Sequence, residues 1–92
     1  MALLTKKDIE TGLKSLKGWD YDEKALHKEF TFSAYLEGID FVRSLAFAAE
    51  KFNHHPDLAV GWCKVGVLFT SHDQGGVTEK CLLMAREAEK IL

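Results

Sequence analysis

Hydrophobic residues recur at helical spacing in three segments of the chain. The first helix is predicted to begin with Thr5 as its N-cap, because an acidic residue follows three positions later, and to end at Gly18. The longest run predicts a central helix over residues 33–53 with Ser33 as its N-cap. A last helix is predicted over residues 78–92.

Two pairs of predicted strands separate these helices. They cover residues 19–22, 26–32, 58–64 and 65–71. In the second strand hydrophobic and polar residues alternate, which is typical of a strand with one face on the core, and only Lys28 breaks the pattern. The order αββαββα predicts an α+β fold in which the helices pack on one face of an antiparallel sheet.

The predicted central helix has hydrophobic residues on more than one side. Phe41 and Leu45 belong to an apolar arc wider than the stripe of a helix that packs on a single core. Leu36 and Phe47 lie outside this arc, among polar residues. Since a short chain has little else to cover them, we expect this side of the helix to contact another copy of the protein.

Length and composition predict a single domain over residues 1–92. A chain of 92 residues buries a smaller share of its surface than a larger protein does, so self-association would stabilise it. The net charge of −2, without a basic run, argues against direct binding to nucleic acid. The apolar stretch near the N-terminus is too short for a signal peptide or a membrane span.

Cysteine usage predicts a reduced, cytoplasmic protein, with nuclear entry left open. Cys63 and Cys81 are too few for the multi-bridge framework of a small secreted domain. A metal site built from the histidines and a cysteine is disfavoured, because the spacing matches no familiar ligand pattern. We therefore expect no metal.

Three of the four histidines stand where predicted elements end. His54 and His55 precede Pro56 at the end of the central helix, and His72 follows the last strand. Histidines gathered in one cleft can serve as general acid and base near neutral pH. A histidine at a helix C-terminus is also favoured by the helix dipole without any catalytic role. His27, on the predicted solvent face of a strand, is assigned no function.

Two tryptophans and a carboxylate have simple structural interpretations when each is taken alone. Trp19 and Trp62 lie near strand ends, where large rings more often pack than bind ligands. Glu50 lies outside the apolar arc of the central helix, one turn from Asn53, and a solvated charge is the simpler interpretation.

Taken together, these residues form a set with a characteristic spacing. The run Glu-Lys-Phe-Asn-His-His-Pro at residues 50–56, Trp62, and the run Thr-Ser-His-Asp at residues 70–73 resemble the signature of the pterin-4a-carbinolamine dehydratases. The resemblance covers nearly the whole chain and extends to Gly18-Trp19, Phe30-Thr31-Phe32 and residues 38–42 and 75–78.

The resemblance implies a four-stranded antiparallel sheet and a homo-oligomer. The oligomer would be a dimer through the sheet edge or a tetramer through the helix over residues 33–53. The implied reaction is dehydration of 4a-hydroxytetrahydropterin to quinonoid dihydropterin, which recycles the cofactor of aromatic amino-acid hydroxylases. The implied chemistry needs no metal and no further cofactor, because a proton supplied to the departing hydroxyl and one taken from a ring nitrogen suffice.

The resemblance also implies roles for individual residues. His54 and His72 would be the acid–base pair, and His55 would be a third catalytic residue that holds the substrate and assists. Glu50 would orient a histidine, and Trp19 would pack at the edge of the pocket. The implied lining of the pterin site is Asn53, Thr70, Ser71 and Asp73.

One position departs from the family pattern. Where members commonly have Ser/Thr-x-x-Asp at the start of the last helix, this chain has Thr78-Glu79-Lys80-Cys81. We favour the interpretation that the usual aspartate completes a capping box with Thr78, so that its loss costs about 1 kcal/mol at most. If the carboxylate instead fixes a histidine, Cys81 would lower the activity.

The main alternative to an enzyme is a binding module. A branch of the same family also serves as a dimerisation cofactor for a transcription factor. That role would use the long helix, with Leu36 and Phe47, rather than the histidines. A third possibility is a related protein with a decayed site, against which the intact His54, His55 and His72 argue.

Overall fold

The computed structural model describes residues 2–22 and 24–92. Within them the elements follow the predicted order, which confirms the α+β fold class. The elements are α1 (Lys6–Leu13), β1 (Asp20–Asp22), β2 (Ala25–Thr31), α2 (Tyr35–Phe52), β3 (Asp57–Val60), β4 (Lys64–Phe69) and α3 (Glu79–Ile91).

The four strands form one antiparallel sheet in the order β1-β2-β4-β3. In the β3–β4 hairpin Asp57 pairs with Leu68, so the start of β3 lies beside the end of β4. The residues just before β3 and just after β4 therefore leave the sheet at the same corner. This corner carries His54, His55 and His72.

The helices pack on one face of the sheet. Along β4, Val65, Val67 and Phe69 are buried, and the residues between them are partly exposed, as a strand covered on one side requires. Helices α2 and α3 contact each other and the sheet, while α1 packs against α3. The buried residues that the helices contribute to this core include Ile9, Phe41, Leu45, Ala49, Leu82, Met84, Ala85 and Ala88.

Lys28, which breaks the alternation in β2, has specific partners on the covered side. Its ammonium group lies 2.7 Å from Glu89 Oε2 and donates a hydrogen bond to the Lys17 carbonyl at 2.9 Å. The same ammonium lies 4.7 Å from the centre of the Phe30 ring. The lysine is therefore tolerated among hydrophobic residues because its charge is paired and its donors are used.

Two predicted helix ends are wrong. The N-cap of α2 is Ala34 rather than Ser33, and Glu37 Oε1 accepts hydrogen bonds from both of their backbone N–H groups. The Ser33 hydroxyl instead donates to the same Glu37 oxygen at 2.8 Å, so the carboxylate draws together the residues that precede the helix. Helix α1 ends at Leu13, before a turn that reaches Gly18, whose φ of +86° favours glycine.

The outer side of α2 exposes large hydrophobic residues. Leu36 is 69% exposed and Phe47 is 64% exposed, with the Arg43 guanidinium 5.3 Å from the Phe47 ring centre. Self-association through this side stays a prediction. Over residues 2–22 and 24–92, no helix is both long and apolar enough to cross a membrane.

Candidate active site

The end of α2 turns the chain sharply at Asn53. This residue adopts a left-handed conformation with φ of 51° and ψ of 46°, which asparagine tolerates better than most residues. The backbone N–H of His54 then donates to the Ala49 carbonyl, so the helix ends in a closed, hydrogen-bonded turn. His54 and His55 leave the helix at a fixed position just before β3 begins.

A second tight turn follows β4. The Ser71 backbone N–H donates to the Gly76 carbonyl, and the Ser71 carbonyl accepts hydrogen bonds from the N–H groups of Gln74 and Gly75. Gly75 has a φ of +76°, which a side chain would strain. The turn places His72 and Asp73 at its exposed tip, beside the end of α2.

These two turns enclose one shallow pocket of about 260 Å³. All three histidines of the predicted set face it, and so do the four residues predicted to line a pterin site. The lining is Asn53, His54, His55, Thr70, Ser71, His72 and Asp73.

His54 is the most enclosed of the three histidines. Its ring stacks on Phe69 with the ring centres 6.1 Å apart, and its Nε2 lies 3.4 Å from Cys81 Sγ. Partial burial lowers the pKa of His54 below its ordinary value, and the nearby Lys80 ammonium lowers it further, against the opposing charge of Asp73. His54 is therefore biased towards the neutral form that can accept a proton.

His55 and His72 lie closer to solvent and each faces a carboxylate. His55 Nε2 lies 2.5 Å from Oε2 of Glu50, which belongs to the last part of α2. His72 Nε2 lies 3.8 Å from Asp57 Oδ2. Glu50 thus contacts a histidine, although it does not line the pocket itself.

Trp19 lies in the hydrophobic core and is not among the residues that line the pocket. The residue is 5% exposed, its ring stacks on Phe69 at 5.9 Å, and its indole N–H donates to Glu89 Oε2 at 2.9 Å. Its ring also packs edge-on against Phe30, with the ring centres 5.9 Å apart. Trp19 supports the site only from behind, through the Phe69 ring on which His54 rests.

Trp62 lies in the β3–β4 turn, 81% exposed, and is not part of the pocket lining.

Two of the hydroxyl groups that line the pocket already have partners inside the protein. The Thr70 hydroxyl donates to the Lys24 carbonyl, and the buried Ser71 hydroxyl lies 2.7 Å from that of Thr78. Asn53 and Asp73 are therefore the better candidates for direct side-chain contacts with a ligand.

Cys81, the position that departs from the family pattern, makes both of the contacts considered for it. Its sulfur accepts a hydrogen bond from the Thr78 backbone N–H at 3.5 Å, as a capping residue does. The same sulfur contacts His54. The cysteine therefore belongs to the start of α3 and to the site at once.

Sequence reasoning missed two residues that shape the site, Phe69 and Lys80. Phe69 reads as an ordinary core position of β4, and Lys80 as a solvated charge on α3. The Lys80 ammonium donates to the Phe52 carbonyl at the end of α2, which brings its charge close to His54. Only the packing of α3 against α2 reveals this.

Among the described residues no group of three or more histidine, cysteine or acidic side chains could hold a metal ion.

Curated relatives match this chain over nearly its whole length. A protein from Mycobacterium sp. (strain KMS) is named "Putative pterin-4-alpha-carbinolamine dehydratase" and is 42% identical over 92 residues. The match covers 100% of this chain and 98% of the Mycobacterium protein. A protein of the same name from Nostoc punctiforme is 38% identical, covering 97% of this chain and 96% of that one.

Solved structures show the same architecture. The crystal structure of a transcriptional coactivator/pterin dehydratase from Brucella melitensis superposes with a TM-score of 0.93 at 31% identity, covering 97% of each chain. A pterin dehydratase-like protein identified as a RuBisCO assembly factor in the alpha-carboxysome shares the fold, with a TM-score of 0.70 at 22% identity. That match covers 80% of this chain and 88% of the other.

The fold and the pocket thus define a small α+β protein in which three histidines meet at the corner of an antiparallel sheet. The family model for pterin 4 alpha carbinolamine dehydratase matches residues 2–91. The chain belongs to the pterin-4a-carbinolamine dehydratase family.

Proposed function

We propose that this protein dehydrates 4a-hydroxytetrahydropterin to quinonoid dihydropterin, and so recycles the pterin cofactor of aromatic amino-acid hydroxylases. The observation that carries the proposal is the convergence of His54, His55 and His72 on one pocket. Membership of the pterin dehydratase family supports a pterin as the ligand. The pocket, about 260 Å³, is open to solvent and so accessible to a small-molecule ligand.

In the proposed reaction the C4a–O bond breaks while a neighbouring ring nitrogen loses its proton. The electron pair of that N–H bond forms the new C=N bond, and the departing hydroxide takes up a proton to leave as water. Hydroxide is a poor leaving group, so a general acid and a general base both help. Such help is typically worth about 10²–10⁴-fold in rate.

We assign the general base to His54, because partial burial and the Lys80 ammonium lower the pKa of His54 and so favour the unprotonated ring that can take up the ring-nitrogen proton. We assign the proton donor to His72, which lies across the pocket at the tip of the turn after β4. His55, held by Glu50, would hold the substrate.

Binding of the pterin would use the polar lining. Asn53 and Asp73 offer an amide and a carboxylate, which match the alternating donors and acceptors of a pterin ring. The side chains of Thr70 and Ser71 are engaged within the protein, so these residues would act by shaping the wall of the pocket.

The activity can be tested by following the decay of enzymatically generated 4a-hydroxytetrahydropterin by ultraviolet absorbance. We expect acceleration by the native protein and a loss of about 10²-fold or more in His54→Ala and His72→Ala. His27→Ala is the matched control, because His27 pairs with Asp22 outside the pocket and should leave the rate unchanged. A folded native protein that does not accelerate the decay would refute the proposal.

A binding module is the second candidate function, and the exposed Leu36 and Phe47 on α2 favour it. The carboxysomal relative is named as an assembly factor, and it shares only the fold. The same residues would serve the proposed homo-oligomer, in which the exposed strand β3 forms a sheet edge and α2 packs on a second copy. We propose that the oligomer is cytoplasmic.

A further inference from the structure

Cys81 is a fully buried thiol in the first turn of α3. Its sulfur lies 3.4 Å from His54 Nε2, which joins the start of α3 to the residue that follows α2. The histidine belongs to the pocket, but the cysteine does not line it. Cys81 therefore contacts the His54 ring from the protein interior, not from the pocket.

The thiol is itself held in place by a buried polar cluster. Ser71 Oγ lies 2.7 Å from Thr78 Oγ1 and 3.7 Å from Cys81 Sγ, and the Thr78 backbone N–H donates to the sulfur at 3.5 Å. Ser71, Thr78 and Cys81 are each at most 5% exposed. A sulfur fixed from two sides gives His54 a partner with little freedom to move.

We propose that Cys81 is a positioning residue for His54: the thiol engages Nε2 and leaves Nδ1 as the nitrogen that exchanges a proton with the ligand. An imidazole has two ring nitrogens, and the partner of one determines which nitrogen carries the proton. The catalytic part of this inference rests on the proposed dehydratase function. The positioning part concerns the free protein alone.

A thiol can contact the ring without the negative charge that a carboxylate carries near neutral pH. The charged and titratable groups around His54 are Lys80 on α3, Asp73 and His72 on the turn after β4, and the adjacent His55. A carboxylate at position 81 would add a negative charge against Nε2 and raise the pKa of His54. The cysteine thus preserves the neutral form of the base.

The positioning can be measured without substrate from the 15N and 1H resonances of the His54 ring as a function of pH. In the native protein we expect the two ring nitrogens to report a single dominant tautomer. Cys81→Ala should allow both tautomers, so the two 15N shifts move towards each other, and Cys81→Ser should restore the native pattern. Cys81→Asp should raise the pKa of His54 by about 1 unit or more.

The His27 resonances provide the internal control, since that residue lies away from the cluster and should not respond. Unchanged His54 tautomers in folded Cys81→Ala, or an unchanged pKa in folded Cys81→Asp, would overturn the inference. If the alanine variant does not fold, the pKa of His54 in Cys81→Asp still decides the question.

The kinetic part uses the same variants. We expect Cys81→Ala to lower kcat about tenfold with little change in KM, and Cys81→Ser to recover most of the loss. A native protein without dehydratase activity would refute the proposed function, while the His54 resonances would still decide the positioning. A native protein that is active, with an alanine variant equally active, would refute the role of Cys81 alone.

Discussion

The ion pair between Lys28 and Glu89 allows a quantitative prediction about stability. Glu89 Oε2 accepts a hydrogen bond from the Trp19 indole N–H at 2.9 Å and lies 2.7 Å from the Lys28 ammonium. Both charged side chains are less than one-third exposed, at 18% for Lys28 and 31% for Glu89. Replacement Glu89→Ala removes the partner of a buried N–H and of a partly buried charge in one step.

The expected loss follows from these two effects. A buried N–H left without a partner costs about 1–3 kcal/mol. The lysine keeps its hydrogen bond to the Lys17 carbonyl, so the lost ion pair adds only about 1 kcal/mol. We therefore expect Glu89→Ala to lower the free energy of unfolding by about 2–4 kcal/mol. That is a large share of the roughly 5–14 kcal/mol typical of a domain of this length.

Urea unfolding at a fixed protein concentration, followed by tryptophan fluorescence and circular dichroism, measures this loss. Glu87→Ala is the matched control on the same helix, because Glu87 pairs with the exposed Lys90 and should cost about 0.5 kcal/mol or less. Glu89→Gln keeps an acceptor for the indole and should fall between the two. An equal loss in Glu89→Ala and Glu87→Ala would refute the reasoning.

Two further predictions concern His54 and Phe47. Folding lowers the pKa of His54 below its ordinary value of 6.5. Between the folded-state pKa and 6.5 the unfolded chain therefore binds more protons than the folded protein. The free energy of unfolding thus falls as the pH drops through this interval, and it levels off below the folded-state pKa. Urea titrations at several pH values should show that acid lowers the free energy of unfolding less in His54→Gln than in the native protein. An equal decrease in the two proteins would contradict this. Phe47→Glu should lower the mass measured in solution, whereas Thr11→Glu, on the exposed side of α1, should not. An unchanged mass would exclude Phe47 from the interface.

The order of elements and the meeting of the histidines follow from patterns that are local in the chain. Alternation in β2, the long apolar run of α2 and the glycines after β4 each depend on near neighbours. The hairpin then brings the residues before β3 to those after β4, because antiparallel pairing places Asp57 opposite Leu68. The strand pattern alone therefore predicts that His54 and His55, before β3, lie close to His72, after β4.

Details that depend on distant residues could not be predicted in this way. The start of α2 depends on how the Glu37 carboxylate reaches back to the backbone N–H groups of Ser33 and Ala34. Lys28 looked out of place because its partner, Glu89, lies on α3. Trp19 packs against rings of β2 and β4 and donates to Glu89 on α3, and neither residue types nor a motif states these contacts.

The amino-acid sequence by itself determined the αββαββα order, the α+β class and the family, because periodicity, turn residues and motif spacing are properties of the chain alone. Only the tertiary structure decided which groups surround each histidine. Phe69, Lys80 and Cys81 act on His54 from β4 and α3, across contacts between elements. Burial and neighbouring charge determine the protonation of a histidine, and both arise only when those elements pack together.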